Sequence, residues 1–186
     1  MKKFELTNEF ITNMFRTKLF RIRALVEFGD VEAGELGGYV EKESNLGHDD
    51  NAWVYDNAWV YGDAQVSGDA LVYDNARVYG DAQVSGDARV CGNARVYGDA
   101  RVCGNGDYAY AHGFGSVNRT TTFFRLKDGG VGVRCGCFYG TLAQFRDKIR
   151  ETHGESAIAE EYLDLAALME KRFRRTGNEQ KTEEES

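Results

Sequence analysis

Nine consecutive copies of one six-residue phrase run from Ala52 to Asn105 without a residue gained or lost. The phrase is Ala-x-Val-x-Gly/Asp-Asp/Asn, with valines at 54, 60, 66, 72, 78, 84, 90, 96 and 102. A short period kept this strictly dictates a solenoid, because one unit cannot bury its apolar side alone and must bury it against the next.

Within the phrase, Ala and Val lie two apart and point to one side of an extended segment, while the residue between them and the one after Val point to the other. Alanine and valine therefore line an interior, and the variable positions line a surface. The Gly-Asp, Gly-Asn or Asp-Asn pair that closes each phrase tolerates left-handed backbone and marks a corner. Three strands and three corners close a triangular coil of eighteen residues, so nine phrases give three coils. Successive coils should lie about 4.8 Å apart and hydrogen-bond in parallel.

Residues eighteen apart then stack into columns on three outer faces. The first face carries Trp53, Leu71 and Arg89 beside Tyr55, Tyr73 and Cys91. The second carries Trp59, Arg77 and Arg95 beside Tyr61, Tyr79 and Tyr97. On the third, Gln65, Gln83 and Arg101 stand beside Ser67, Ser85 and Cys103. Corners stack as well, giving an acidic column of Asp63, Asp81 and Asp99 and an amide column of Asn57, Asn75 and Asn93. The second face is the candidate binding surface, because Tyr, Trp and Arg are enriched among binding hot spots. It also has a purely structural reading, in which stacked aromatic side chains stabilise the strands that carry them.

The repeats, with Val54 followed four positions on by Ala58, resemble the left-handed parallel β-helix of hexapeptide-repeat proteins. Three further segments narrow the resemblance: Arg21-Ile-Arg-Ala-Leu25, Leu36-Gly-Gly-Tyr-Val-Glu-Lys-Glu-Ser-Asn-Leu46 and Cys135-Gly-Cys-Phe-Tyr-Gly-Thr141. With them the chain is similar to small proteins frequent in phages and prophages, labelled polymer-forming proteins or transferases. The resemblance implies a left-handed coil and leaves two kinds of function open. A non-catalytic scaffold without a cofactor would self-assemble as a dimer or trimer, or hold a host antiviral-defence protein or its signal nucleotide, in the host cytoplasm. An acyltransferase would place an acyl-CoA such as acetyl-CoA along the coils, between subunits of a trimer, with a histidine as general base.

For the transferase, the only histidines are His48, His112 and His153. His48, with Asp49 and Asp50 beside it, sits at the one break in the six-residue step, where Leu46 and Val54 are eight apart. Its bland reading is a solvated corner. His153 precedes Gly154 at an expected helix C-terminus, where a cation suits the dipole. No metal site is expected. Cys135 and Cys137 form a single pair with no second pair or histidine at ligand spacing. The stacked aspartates do not belong to the Gly-rich nonapeptide that binds calcium.

Composition sets the outer bounds. No apolar run approaches the roughly 18 to 20 residues that span a membrane, and Met-Lys-Lys opens no signal peptide, so a cytoplasmic protein is expected. Reduced cysteines fit that compartment. The net charge of −7 divides as −3 over residues 1 to 51, −3 over the repeats, +2 over 106 to 175 and −3 over the last eleven. No block is basic enough to predict nucleic-acid binding by charge.

Residues 1 to 37 read as a β-rich N-terminal cap, with strands over Phe4 to Thr12 and Lys18 to Phe28 around a turn at Asn13 to Thr17. A helix over Thr7 to Val26 is the alternative. Residues 38 to 107 form the β-helix, beginning at Val40 and Leu46 with Gly38 and Ser44 as the small inward residues. Residues 108 to 175 read as a ββαα cap over the last coil. Its hairpin turns at Lys127 to Gly130. Thr141 and Gln144 form a capping box on a first helix that Gly154 stops, and a second helix carries the stripe Ile158, Tyr162, Leu165, Met169 and Phe173. Residues 176 to 186 are expected to be a disordered acidic tail.

Overall fold

A computed structural model describes residues 2–115 and 117–184, with side chains through Thr176. Two compact units divide the chain, residues 1–105 and 106–186.

The first unit is a β-solenoid with 18-residue spacing. Its nine short strands are β4 (Trp53–Val54), β5 (Trp59–Val60), β6 (Gln65–Val66), β7 (Leu71–Val72), β8 (Arg77–Tyr79), β9 (Gln83–Val84), β10 (Arg89–Val90), β11 (Arg95–Tyr97) and β12 (Arg101–Val102). They pair in parallel as β4-β7-β10, β5-β8-β11 and β6-β9-β12, each residue against the one eighteen further on. Every repeat Ala and Val is buried. Each valine side chain taken out of water favours the coil by about 1.5–3 kcal/mol. Six corner glycines, from Gly62 to Gly98, have positive φ, and Asp56 and Asp74 take the same left-handed conformation at φ 52° and 61°.

The leader adds most of a fourth coil. The hairpin β1 (Phe4–Thr12) and β2 (Lys18–Ala24) is antiparallel, and β2 pairs with β3 (Leu36–Val40). In turn β3 runs parallel to β5, with Tyr39 opposite Trp59 and Val40 opposite Val60. Leu46 bridges to Val66. These partners are twenty apart, eighteen plus the two residues inserted near Gly47–Asp50. The helical alternative for residues 7 to 26 gives way to strands because the segment pairs antiparallel along its length, with Ile22 and Ala24 buried on either side of the exposed Arg23. At the hairpin tip Asn13 Oδ1 accepts the N–H groups of Phe15 and Thr17 at 2.9 and 3.0 Å, so a side chain closes the turn.

Two inward and outward assignments are corrected. Trp53 does not stand on the outer face. It is fully buried, with Phe4 and Phe28 edge-on to its indole at 6.2 and 5.3 Å, because the leader covers the first coil there. Ser44 is exposed, and its neighbour Asn45 turns inward in a 3-10 turn over Glu43–Asn45. The Asn45 amide donates to Gly62 O and Ala64 O at 3.1 and 2.8 Å and accepts the Lys42 N–H at 2.9 Å, so its burial leaves no polar atom unmet.

The second unit has four strands where two were expected, so its order is ββββαα and not ββαα. Its antiparallel sheet runs β13 (Tyr108–Phe114), β14 (Arg119–Arg125), β15 (Val131–Cys135), β16 (Phe138–Thr141). Gly113 and Gly115 interrupt the alternation that would mark β13 as a strand in the sequence. Only Gly136 and Cys137 separate β15 from β16, so the fourth strand reads as a tail of the third. Helix α1 (Leu142–His153) starts on the expected capping box, with Gln144 N donating to Thr141 Oγ1 and Thr141 N to Gln144 Oε1, and ends at Gly154, φ 58°. Helix α2 (Ala157–Glu184) buries Tyr162, Leu165, Met169 and Phe173 against Phe145 and Phe123. It also runs past Gly177, where the disordered tail was expected. The Glu, Gln and Lys that follow are strong helix formers and offset the roughly 1 kcal/mol cost of one glycine. Residues 185 and 186 of that tail lie outside the described residues.

Candidate binding face

Strands β5, β8 and β11 present one ladder because their Val residues point inward, which turns the residues on either side outward. Trp59, Arg77 and Arg95 stand in register, as do Tyr79 and Tyr97. The Tyr61 and Tyr79 rings are 4.9 Å apart, centroid to centroid, with planes 9° apart, and Tyr79 and Tyr97 follow at 4.5 Å and 33°. Arg77 lies over Trp59, its Cζ 3.9 Å from the ring centroid, a cation–π contact. Partial burial, followed by the like charge of Arg95, lowers the Arg77 pKa. All six residues foreseen for this face are therefore brought together. All keep some exposure, Arg95 the most.

The column continues into the leader, where it is buried at Tyr39. Tyr39 continues the Trp59 column, and Arg21 on β2 pairs with it. Arg21 Nη1 donates to Tyr39 Oη at 3.0 Å, Tyr39 Oη donates to Glu9 Oε1 at 3.1 Å, and Arg21 lies 3.5 Å from the same carboxylate. The signal for Tyr39 is its position twenty residues before Trp59, eighteen plus the inserted pair. Nothing in the sequence pattern announces that an antiparallel hairpin adds Arg21 and Glu9.

His48 is not a solvated corner. Its Nδ1 accepts the Lys3 N–H at 3.2 Å and its ring stacks on Phe4 at 4.4 Å and 15°, so it anchors the first strand to the inserted corner. Beside it Lys3 is almost wholly buried, donating to Asp50 O, Asp50 Oδ1 and Ala52 O at 2.9, 3.2 and 2.8 Å. Burial lowers the Lys3 pKa, opposed by the bond to Asp50. Asp50 Oδ2 accepts the Gly68 N–H at 2.7 Å, and Glu41 Oε2 accepts the Gly62 N–H at 2.7 Å. The leader's polar residues thus latch the leader's own coil onto the first coil of the repeats.

The remaining candidates are engaged locally. His112 Nδ1 is 2.8 Å from Thr120 Oγ1, and the His153 ring stacks on Tyr162 at 6.0 Å. Asp63, the first of the acidic corner column, meets Lys42 at 2.7 Å. That bond holds the carboxyl below and the amine above its ordinary pKa. Among the described residues no group of three or more His, Cys, Asp or Glu is placed to hold a metal ion. No helix among them is long and apolar enough to cross a membrane.

With this geometry in place, the comparisons agree with the fold. The repeats match the family described as YdcK Beta solenoid repeat, in overlapping segments 52–68, 64–80, 70–86, 82–98 and 88–104. The chain matches none of the curated proteins compared with it.

Proposed function

We propose that this β-solenoid repeat protein is a non-catalytic binding scaffold that works through the face of β5, β8 and β11. The supporting observation is the continuous ladder of Tyr61, Tyr79 and Tyr97 beside Arg77 on Trp59 and the exposed Arg95. Stacked side chains lose little freedom on binding, so a flat preorganised surface associates at low entropic cost. Its first occupant is a second copy of the chain, in a dimer or trimer. Under the phage resemblance, a host defence protein or its signal nucleotide takes the same surface in the host cytoplasm.

The acyltransferase reading asks His48 to accept a proton from an acyl acceptor. Nδ1 already accepts the Lys3 N–H and one ring face is covered by Phe4. The residues there fit an anchor better than an acyl-CoA site, and no chemical step follows from them.

Sedimentation equilibrium over a range of concentrations tests the proposal. The wild-type chain should associate, and the Tyr79→Ala/Arg95→Ala double variant should remain monomeric with an unchanged circular dichroism spectrum. A wild-type monomer, or a variant that associates equally well, would overturn self-association through this face.

A further inference from the structure

The second unit contains a cavity of about 340 Å³ between α1, the start of α2 and the β15–β16 turn. Its wall is apolar, formed by Phe138, Phe145, Ile149 and Tyr162. Three basic side chains, Arg119, Lys148 and His153, line it as well, and among the described residues no carboxylate does. In a chain of net charge −7 that local composition is a selective feature. An apolar chamber with a few convergent polar groups is the usual form of a small-molecule site, and this volume falls at the small end of the roughly 300–1,000 Å³ range.

The polar groups are placed for recognition. Arg119 rests against the backbone of Gly136, where even a Cβ would collide with its guanidinium, and among the described residues no carboxylate pairs with it. Lys148 reaches Glu151 at 2.8 Å, but both side chains are more than half exposed. Such a surface pair is weak and yields readily to a better anion. The Tyr162 hydroxyl donates to Phe114 O at 3.4 Å and accepts from Cys135 Sγ at 3.9 Å, so it closes the wall and leaves ligand recognition to the basic side chains.

We infer that this cavity binds a small amphipathic carboxylate, its ring or branched apolar body between Phe145, Ile149 and Tyr162 and its carboxylate on Arg119 and Lys148. Arg119 supplies the planar fork that matches a carboxylate, and Lys148 a point charge. The volume suits one ring with a short chain. This site is separate from the tyrosine ladder and stands whether or not that face binds a partner.

The probe is 3-phenylpropionate, titrated into the full chain by calorimetry, with 3-phenylpropanamide as its neutral counterpart. Saturable one-to-one binding with a Kd of about 1 mM or tighter is expected. The amide should bind at least about tenfold more weakly, because it lacks the charge-assisted bonds. Arg119→Glu should weaken the carboxylate by about tenfold or more, Arg119→Lys should retain part of the affinity, and Gln83→Ala on the third face of the solenoid, exposed and without a role in binding, should change nothing. Arg119 is exposed, so these variants are expected to fold, with circular dichroism as the check. Equal binding of amide and carboxylate, an Arg119→Glu protein with wild-type affinity, or no saturable binding would each overturn the inference.

Discussion

Asp74 Oδ2 accepts the backbone N–H of Gly92 at 2.9 Å, eighteen residues along the chain and one coil further on. Asp56 does the same to the N–H of Asp74 at 3.3 Å. Both aspartates hold left-handed backbone, Asp74 at φ 61° and Asp56 at φ 52°, in a position where the other corners use glycine. The carboxylate and the glycine are thus alternative solutions at one site. Glycine removes the conformational cost, whereas aspartate accepts it and ties one coil to the next.

Substitutions at Asp74 separate those two contributions. Asp74→Asn keeps an acceptor and tolerates the left-handed region, so it should cost the least. Asp74→Gly loses the bond but relieves the backbone. Asp74→Ala loses the bond and retains the strain, and should cost about 1–3 kcal/mol. Urea unfolding of the three variants should give the order Asn, Gly, Ala from most to least stable. An Ala variant as stable as the Gly variant would show that the corner carries no strain.

Two leader glycines should fail for different reasons. A Cβ on Gly37 would lie 2.5 Å from Val54 O, 2.7 Å from Ile22 Cγ1 and 2.8 Å from Trp53 Cζ2, so Gly37→Ala should overpack the junction and cost about 1–3 kcal/mol or more. A Cβ on Gly34 would meet open space, but its φ of 90° is one that alanine resists. Gly34→Ala should therefore cost less, about 1–2 kcal/mol. Thermal unfolding midpoints rank the two, and a Gly37→Ala protein at the wild-type midpoint would mean the leader does not press on Trp53 as described.

These junctions also show what the sequence made legible. The period of six determined the coil, the eighteen-residue columns and all six members of the ladder, because a solenoid repeats one local solution and its packing partners lie at a constant offset. The leader has no such offset. That Trp53 is buried, that Asn45 and not Ser44 turns inward, and that Arg21 and Glu9 bond Tyr39 all depend on a hairpin folding back over the first coil. The cavity is equally hidden, since Arg119, Lys148 and Tyr162 converge from β14, α1 and α2 with no common spacing.

Lys3 gives a pH dependence whose sign follows from burial. Its native pKa lies below the ordinary lysine value of about 10.4, with desolvation the largest cause. Between the native value and about 10.4 the unfolded chain binds more protons than the folded one, so this group's contribution to stability rises with pH through that window and is level above it. Lys3→Met should remove that slope. At neutral pH it should also destabilise by about 1–3 kcal/mol, because Asp50 O and Ala52 O lose their donor. Urea unfolding of both proteins from pH 7 to 10.5 (roughly the lysine range) provides the comparison. A difference that does not grow toward alkaline pH would show that the ammonium is better solvated than its surroundings indicate.

Tyr162 reverses the sign. Burial, then the neighbouring Cys135, pushes its hydroxyl up to about 12, against an ordinary tyrosine value of about 10. Its contribution is fully present below pH ~10 and is lost as pH rises toward 12, since across that window the native state keeps a proton the unfolded state has released. The loss should be on the order of 2 kcal/mol. Tyr162→Phe removes both the titration and the bond to Phe114 O at 3.4 Å, while leaving the aromatic packing on Phe145. Subtracting the variant's 295 nm titration curve, taken at roughly the wavelength of tyrosinate absorbance, from that of the wild type isolates one phenol. A midpoint near 12 is expected. A midpoint near 10 would place the hydroxyl in open water and remove the enclosed wall on which the carboxylate site depends.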